Sequence, residues 1–436
     1  MKILLIDPVT TARTVTLDRR RTLRKGIGYP GLALATVAAL TPPDIEVRII
    51  DESVEEIDFA AQPDLIGISV QAPTAPYAYE LAALFRKKRV PVVLGGIHVS
   101  LNPEEALPHA DAIVIGEAEL TWPRFIEDFR RGRLNKIYQA SGLADLNNTP
   151  VPRRDLINSE NYQMPWVVQA SKGCPYGCEF CALHCYVGNP PRFRRVGSVR
   201  KEIEEIPGER ILFADDNLYS DRNFALNLIA AIRPLKKTWV AEASWQIAYD
   251  EEVLSLAKQS GCAGLFIGFD SINRQPMMKK VPAAEDVEGI YIRAIRNIQK
   301  KGLAVVAAFV FGLDQDGTDV FERSLDVVKK GGANLVNFSA LVPYPGTPIF
   351  NRLKREGRLT EWDWSKYISP QVCFEPRKMT PDELRDGIFE AQRAFYSYPN
   401  ILKISFQAAR KLGWAMGMLS LSLNVAQKRN WGKGAS

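Results

Sequence analysis

Val167-Val168-Gln169-Ala170-Ser171-Lys172-Gly173-Cys174-Pro175-Tyr176-Gly177-Cys178-Glu179-Phe180-Cys181 begins as an apolar run, narrows to a glycine and opens into three cysteines. Residues 167–173 read as a strand, and the cysteines as the loop leaving its carboxyl end. Five similar runs follow, at 210–216, 239–245, 264–270, 304–312 and 335–342. Helical patterns such as 221–235 and 250–259 fill the gaps. Residues 166–346 are therefore expected to form six βα units, a partial (βα)6 barrel of the TIM type. Such barrels keep their chemistry at the carboxyl ends of the strands, where the cysteines stand.

Working outward, residues 1–135 alternate in the same way. Short apolar runs at 2–7, 47–51, 65–70, 91–96 and 112–116 are separated by helical patterns such as 31–40 and 75–88. This predicts an α/β, flavodoxin-like (Rossmann-like) doubly wound parallel sheet, with its ligand crevice at the strand ends. Those ends carry small or acidic residues: Ser69, Gly95-Gly96-Ile97-His98 and Gly116-Glu117. Small residues let a bulky ligand approach the backbone. Residues 136–165, with Asn147-Asn148-Thr149-Pro150-Val151-Pro152, read as a linker, and 347–436 as a C-terminal helical region.

The chain has 436 residues, 46% hydrophobic and 24% charged, enough for several folded units. Its net charge of +6 matches the six Lys and Arg of residues 401–436, which contain no Asp or Glu. The body is thus near neutral, which argues against nucleic acid as a partner. None of the six cysteines precedes Cys174, so a disulfide framework is not expected. No stretch reaches the roughly 18 apolar residues of a membrane span, and a cytoplasmic protein is expected.

Cys174, Cys178 and Cys181 are spaced by three and then two residues. Three thiolates on one loop suit three irons of a [4Fe–4S] cluster, leaving the fourth iron open to a substrate. Zinc is the alternative, with His184 or Cys185 as a fourth ligand, although a second cysteine pair is missing. Cys262 and Cys373 are isolated and are read as inert core thiols.

The CxxxCxxC spacing, with Phe180 before the last cysteine, resembles the radical SAM superfamily, and the resemblance covers the whole of 166–346. It implies that Cys174, Cys178 and Cys181 hold a cluster whose open iron binds S-adenosylmethionine (SAM) and cleaves it reductively to a 5′-deoxyadenosyl radical. It implies SAM contacts from Asp215 and Asp216 in Phe213-Ala214-Asp215-Asp216-Asn217, where the usual Gly-Gly-Glu is absent. It also implies contacts from Glu242, Ser244 and Gln246 on the third strand, and from Gly268, Asp270 and Phe311 at later strand ends. For each acid the plain alternative is a solvated strand end or helix cap.

Residues 1–135 resemble the cobalamin-binding domain of one large class of this superfamily, whose members include cobalamin-dependent methylases. The matching stretches include Gly28-Tyr29-Pro30-Gly31-Leu32-Ala33, Gly67-Ile68-Ser69 and Ile115-Gly116-Glu117. Ser69, Gly95, Gly96, His98, Gly116 and Glu117 are then the expected cobalamin contacts, with His98 facing the crevice. The Asp-x-His-x-x-Gly motif that supplies a histidine to cobalt elsewhere is missing. The class implies methyl transfer to an unactivated carbon of a small or lipid-like molecule, with a flavodoxin or ferredoxin as electron donor. Two other outcomes are compatible: a radical enzyme without cobalamin that dehydrates, epimerises, cyclises or couples, and a cobalamin- or SAM-sensing protein.

Residues 379–383 carry a helix-start signal, and residues 401–423 are apolar and basic, with Phe406, Trp414, Met416 and Met418. Two readings are open: a helix hairpin closing the open side of the barrel, or peripheral contact with a membrane interface.

Overall fold

The computed structural model describes residues 1–9, 28–273 and 286–433; the side chains of Leu412, Met416 and residues 430–433 are outside that description. Two six-stranded sheets carry the fold. The first contains β1 (Lys2–Asp7), β2 (Glu46–Asp51), β3 (Leu65–Ser69), β4 (Val92–Gly95), β5 (Ala112–Ile115) and β6 (Ile137–Gln139). Its order is β2-β1-β3-β4-β5-β6 and every pairing is parallel. Because both faces are covered, β1 (KILLID) and β3 (LIGIS) are nearly continuous apolar runs. Helix Ala75–Lys87 packs on one face, and helices Ala33–Leu40 and Ala118–Arg130 on the other. The chain reverses direction across the sheet between β1 and β3, so a crevice opens at their carboxyl ends.

The second sheet contains β7 (Trp166–Val168), β10 (Arg210–Phe213), β11 (Thr238–Ser244), β12 (Cys262–Asp270), β13 (Ala304–Phe311) and β14 (Leu335–Ala340). They lie side by side in chain order, all parallel, with β7 and β14 as edges. This is the open partial barrel expected. In β13 buried and half-buried residues alternate, the buried set facing the helices and the other set facing the barrel interior.

Three details differ from the sequence reading. Residues 136–165 are not all connection, since β6 adds a sixth strand to the first sheet. The run 167–173 is not one strand. It leaves the barrel after β7 and re-forms as β8 (Ser171–Lys172), which pairs antiparallel with β9 (Arg192–Phe193). Finally, the open edge is covered by helix Pro381–Phe395 rather than by the terminal hairpin. Gln392 of that helix donates to Phe338 O, and Tyr396, just after it, exchanges hydrogen bonds with Val336. The hairpin, helices Tyr398–Leu412 and Trp414–Lys433, is tied instead to the amino-terminal ends of the last strands. Asn424 donates to Asn334 O, and Lys411 to Gln299.

Candidate active site

The cysteine loop springs from the β8–β9 ribbon. Gly173 sits at φ +92°, and a Cβ there would lie 3.1 Å from Gly188 O, so the two feet of the loop meet only over a glycine. Cys181 N donates to Cys178 O at 3.0 Å, closing a turn, and helix Ala182–Val187 starts immediately after it. Backbone N–H groups of Leu183 and His184 point at the Cys181 sulfur; burial pushes that thiol up, with Asp216 and Cys174 adding to the effect. Asn217 Nδ2 lies 3.9 Å from Cys174 Sγ. Among the described residues no three His, Cys, Asp or Glu side chains converge on a single-ion position. A cluster asks for one thiolate on each of three irons, and the three thiols of one loop fit that demand.

Three distant parts of the chain hold this loop. The loop leaving β10 approaches from below: Asp215 accepts from Ala170 N at 3.1 Å and Ser171 Oγ at 2.5 Å, and Asp216 accepts from Gly173 N at 2.7 Å. Asp215 is fully enclosed, and burial pushes its carboxyl up to about 7 despite those bonds. The helix after β14 grips the outer side: Arg352 forks onto Glu179 at 2.8 and 3.3 Å, and Ile349 N donates to Glu179 O at 3.1 Å. The first sheet supplies the third hold. Glu117 takes Arg192 at 2.8 and 2.9 Å and Ala144 N at 2.7 Å, Lys172 Nζ reaches Glu119 at 2.6 Å, and Tyr186 donates to Gly116 O at 3.1 Å.

A cavity of about 320 Å³ lies between the first sheet and the cysteine loop. Ser69, Gly95, Gly96 and Gly116 line it from the strand ends, and Lys172, Tyr186 and Asp216 from the opposite wall. Gly96 sits at φ +101°, where a Cβ would lie 2.7 Å from the Val70 backbone. Two expected crevice residues do not line the cavity. His98 is turned away: its Nε2 lies 3.3 Å from Glu105, which also accepts from Tyr79 and Trp364. Glu117 faces Arg192 and Lys172, because two nearby cations in a buried joint outcompete an open crevice for its charge.

At the barrel mouth, Ser244 Oγ and Gln246 Oε1 are buried with no hydrogen-bond partner among the described residues. Glu242 is exposed, and Tyr29 from the first domain lies close enough for their charges to interact. The β12–β13 register slips between Gly268 and Asp270, and Asp270 takes φ +64°, so the strand end is bent out of the ladder. Phe311 does not border the mouth. It is fully buried and packs on Phe309, Phe338 and Phe321, because its parity on β13 places it in the helix-facing layer.

Residues 26–126 match the family described as B12 binding domain, and residues 168–339 match the Radical SAM superfamily. The chain pairs a radical SAM domain with a B12-binding domain. Among relatives of this radical SAM enzyme are two methyltransferases of Chlorobaculum tepidum. The bacteriochlorophyllide d C-12(1)-methyltransferase is 29% identical, covering 85% of this chain and 84% of that one. The bacteriochlorophyllide d C-8(2)-methyltransferase is 25% identical, covering 92% and 91%. A solved structure of the radical SAM methyltransferase TsrM from Kitasatospora setae, with cobalamin and a [4Fe-4S] cluster bound, superposes with a TM-score of 0.69. It is 16% identical and covers 100% of this chain and 99% of that one; at that identity it shows a shared fold.

A radical SAM enzyme with a B12-binding domain uses a [4Fe–4S] cluster, SAM and cobalamin, and the donor sets here fit each. The loop offers three thiols and a helix start. The mouth offers Ser244 and Gln246 groups that are unpaired among the described residues, suited to a polar ligand. The cavity floor is glycine and serine, with a cation, Lys172, in its far wall. Sequence reasoning missed Asn217, Lys172, Tyr186 and Arg352. Asn217 and Lys172 stood inside the quoted stretches and were detectable by adjacency. Tyr186 and Arg352 carried no local signal.

Proposed function

We propose that this enzyme transfers a methyl group from SAM, by way of cobalamin, to an unactivated carbon of a small molecule. When bound, the cluster with SAM supplies the radical that activates the acceptor carbon, and cobalamin supplies the methyl carrier. Cys174, Cys178 and Cys181 are the cluster ligands in this reading. Ser244 and Gln246 orient SAM, with Glu242, Gly268 and Asp270 at the rim. Asp215 and Asp216 act on SAM only indirectly, by fixing the backbone of 170–173 on which the cysteines hang. Ser69, Gly95, Gly96 and Gly116 bed the corrinoid in the first domain (residues 1–135), and the barrel (166–346) presents the acceptor. An electron must enter from outside, and a flavodoxin or ferredoxin is the class we propose.

The observation that carries this reading is the shared wall. The glycine-floored cavity of the B12-binding domain ends on Lys172, Tyr186 and Asp216, which belong to or directly support the cysteine loop. Two cofactor sites that share a wall suit passage of one group between them. The relatives named above as methyltransferases agree in reaction type, and bacteriochlorophyllide d is the first acceptor to assay.

The test is anaerobic reconstitution with hydroxocobalamin, followed by absorbance, corrinoid content and 5′-deoxyadenosine formation with reductant. Stoichiometric corrinoid together with an iron–sulfur shoulder supports the reading. In Cys174→Ala the shoulder and SAM cleavage should disappear while corrinoid is retained. Full activity in protein free of corrinoid would overturn the methylase reading.

A further inference from the structure

The terminal hairpin has two apolar faces, and the fold uses one. On helix Tyr398–Leu412 the inner face is spent: Ile401, Ile404 and Ala408 are at most 4% exposed. The outer face of the same helix carries Leu402 at 62% and Phe406 at 64%, four residues apart and therefore on one stripe. Helix Trp414–Lys433 continues the outer stripe, with Trp414 at 78% and Met418 at 63% exposed, while its inward side buries the polar Ser420 and Asn424. Lys428 sits 4.6 Å over the ring of Tyr398, so the outer stripes of the two helices share a side. Large apolar residues gathered on one exposed face mark an interaction surface and not a packing accident.

The charge says what covers it. Residues 401–436 hold six Lys or Arg and no Asp or Glu, while the remainder of the chain is near neutral. Lys403 and Arg410 flank the stripe and are exposed. A second copy of the chain would bring a like-charged hairpin face to face with this one. An anionic lipid surface complements both features, taking the aromatic and aliphatic side chains into its interface and the cations onto its headgroups. Among the described residues no helix is long and apolar enough to cross a membrane, so the hairpin would lie in the interface plane.

We propose that the hairpin of residues 398–433 is a peripheral docking surface for a bilayer containing anionic lipid. The hairpin is bound to the amino-terminal ends of the last barrel strands, whereas the cysteine loop stands at their carboxyl ends. Docking therefore sets where the enzyme resides and leaves the mouth facing away from the lipid. This surface is confined to the hairpin and is independent of the methylase reading.

The experiment is flotation of the reconstituted full-length enzyme with phosphatidylcholine vesicles, with and without phosphatidylglycerol. Binding to the anionic vesicles should be at least about tenfold tighter and should weaken as salt rises. The double variant Phe406→Glu/Trp414→Glu should lose at least about tenfold in binding. Lys403→Glu/Arg410→Glu, which changes only exposed side chains, should lose the preference for anionic vesicles. Unchanged cluster absorbance and melting temperature establish that each variant is folded. No binding to anionic vesicles at low salt, or equal binding by both variants, overturns the proposal. So does a concentration-dependent dimer abolished by Phe406→Glu/Trp414→Glu, which would assign the face to a second copy.

Discussion

Replacing Glu117 should loosen the joint between the two domains, and the size of the effect can be worked from its partners. Glu117 is 1% exposed and holds Arg192 through two bonds, Ala144 N through a third and Lys172 at 3.3 Å. Removing one partner of a buried charge pair costs about 3–5 kcal/mol. Here the lower end applies, because Lys172 keeps Glu119 and Arg192 keeps the Ala144 carbonyl. Glu117→Ala should therefore cost ~3 kcal/mol, and Glu117→Gln, which preserves shape and one acceptor, ~2 kcal/mol. With an unfolding entropy of ~2.1 cal/mol/K per residue, the alanine variant should melt ~3 °C lower if the chain unfolds as one unit, and ~10 °C lower if the first domain unfolds alone. Burial raises the Glu117 carboxyl, but Arg192 and Lys172 outweigh it and hold it below its ordinary 4.5. The stability it confers is thus complete above pH 4.5 and lost as pH falls through the lower, folded value. The wild-type advantage should be full at neutral pH and shrink in acid. Calorimetry across that range is the assay. A Glu117→Ala protein melting within ~1 °C of wild type at neutral pH would refute the reasoning and return Glu117 to the crevice.

Three further outcomes are expected. Ser244→Ala removes a buried hydroxyl without a partner among the described residues, so melting temperature should hold or rise slightly while SAM affinity falls roughly tenfold; equilibrium binding unchanged from wild type would exclude a SAM role. Gly96→Ala forces a Cβ against the Val70 backbone at positive φ, costing ~2 kcal/mol or more; retained corrinoid per protein should drop while iron–sulfur absorbance stays, and the ratio of the two checks it. Asp7 lies beside Asp51 and Glu52, and burial with those charges pushes its carboxyl from 3.8 up to about 7. The folded state therefore binds its proton more tightly, and that stability is lost as pH rises through about 7. Asp7→Asn should gain on wild type from about pH 4 to 7 and keep a constant lead of ~5 °C above if the chain unfolds as one unit, by thermal melts in a pH series.

The strands of both sheets were legible because a parallel strand covered on both faces must be a short apolar run, whatever its neighbours. β6 escaped because Ile137-Tyr138-Gln139 is three residues long and buries only Tyr138. The break at Ala170 was invisible because its cause, the Asp215 carboxylate, lies 45 residues away. The cysteine triplet was legible from spacing alone. Its supports were not: Glu179 and Arg352 are separated by 173 residues, Glu117 and Arg192 by 75. His98 and Glu117 stand at strand ends, as ligand residues do, yet a side chain's direction is decided by the partner that reaches it. Phe311 was misread by position when strand parity, matching Phe309 and Val305, already placed it in the core.

The three holds on the cysteine loop also order events during synthesis. Domains generally fold from the amino terminus as the chain emerges. The thiols appear on the ribosome after the first sheet is complete, and Glu117 is waiting for Arg192. Asp215 and Asp216 follow soon after. Arg352, by contrast, is translated more than 170 residues later than Glu179. Throughout that interval the nascent loop is fastened on two sides and open on the third. The outer side of the loop therefore stays unfastened until the helix beginning at Pro348 has been made.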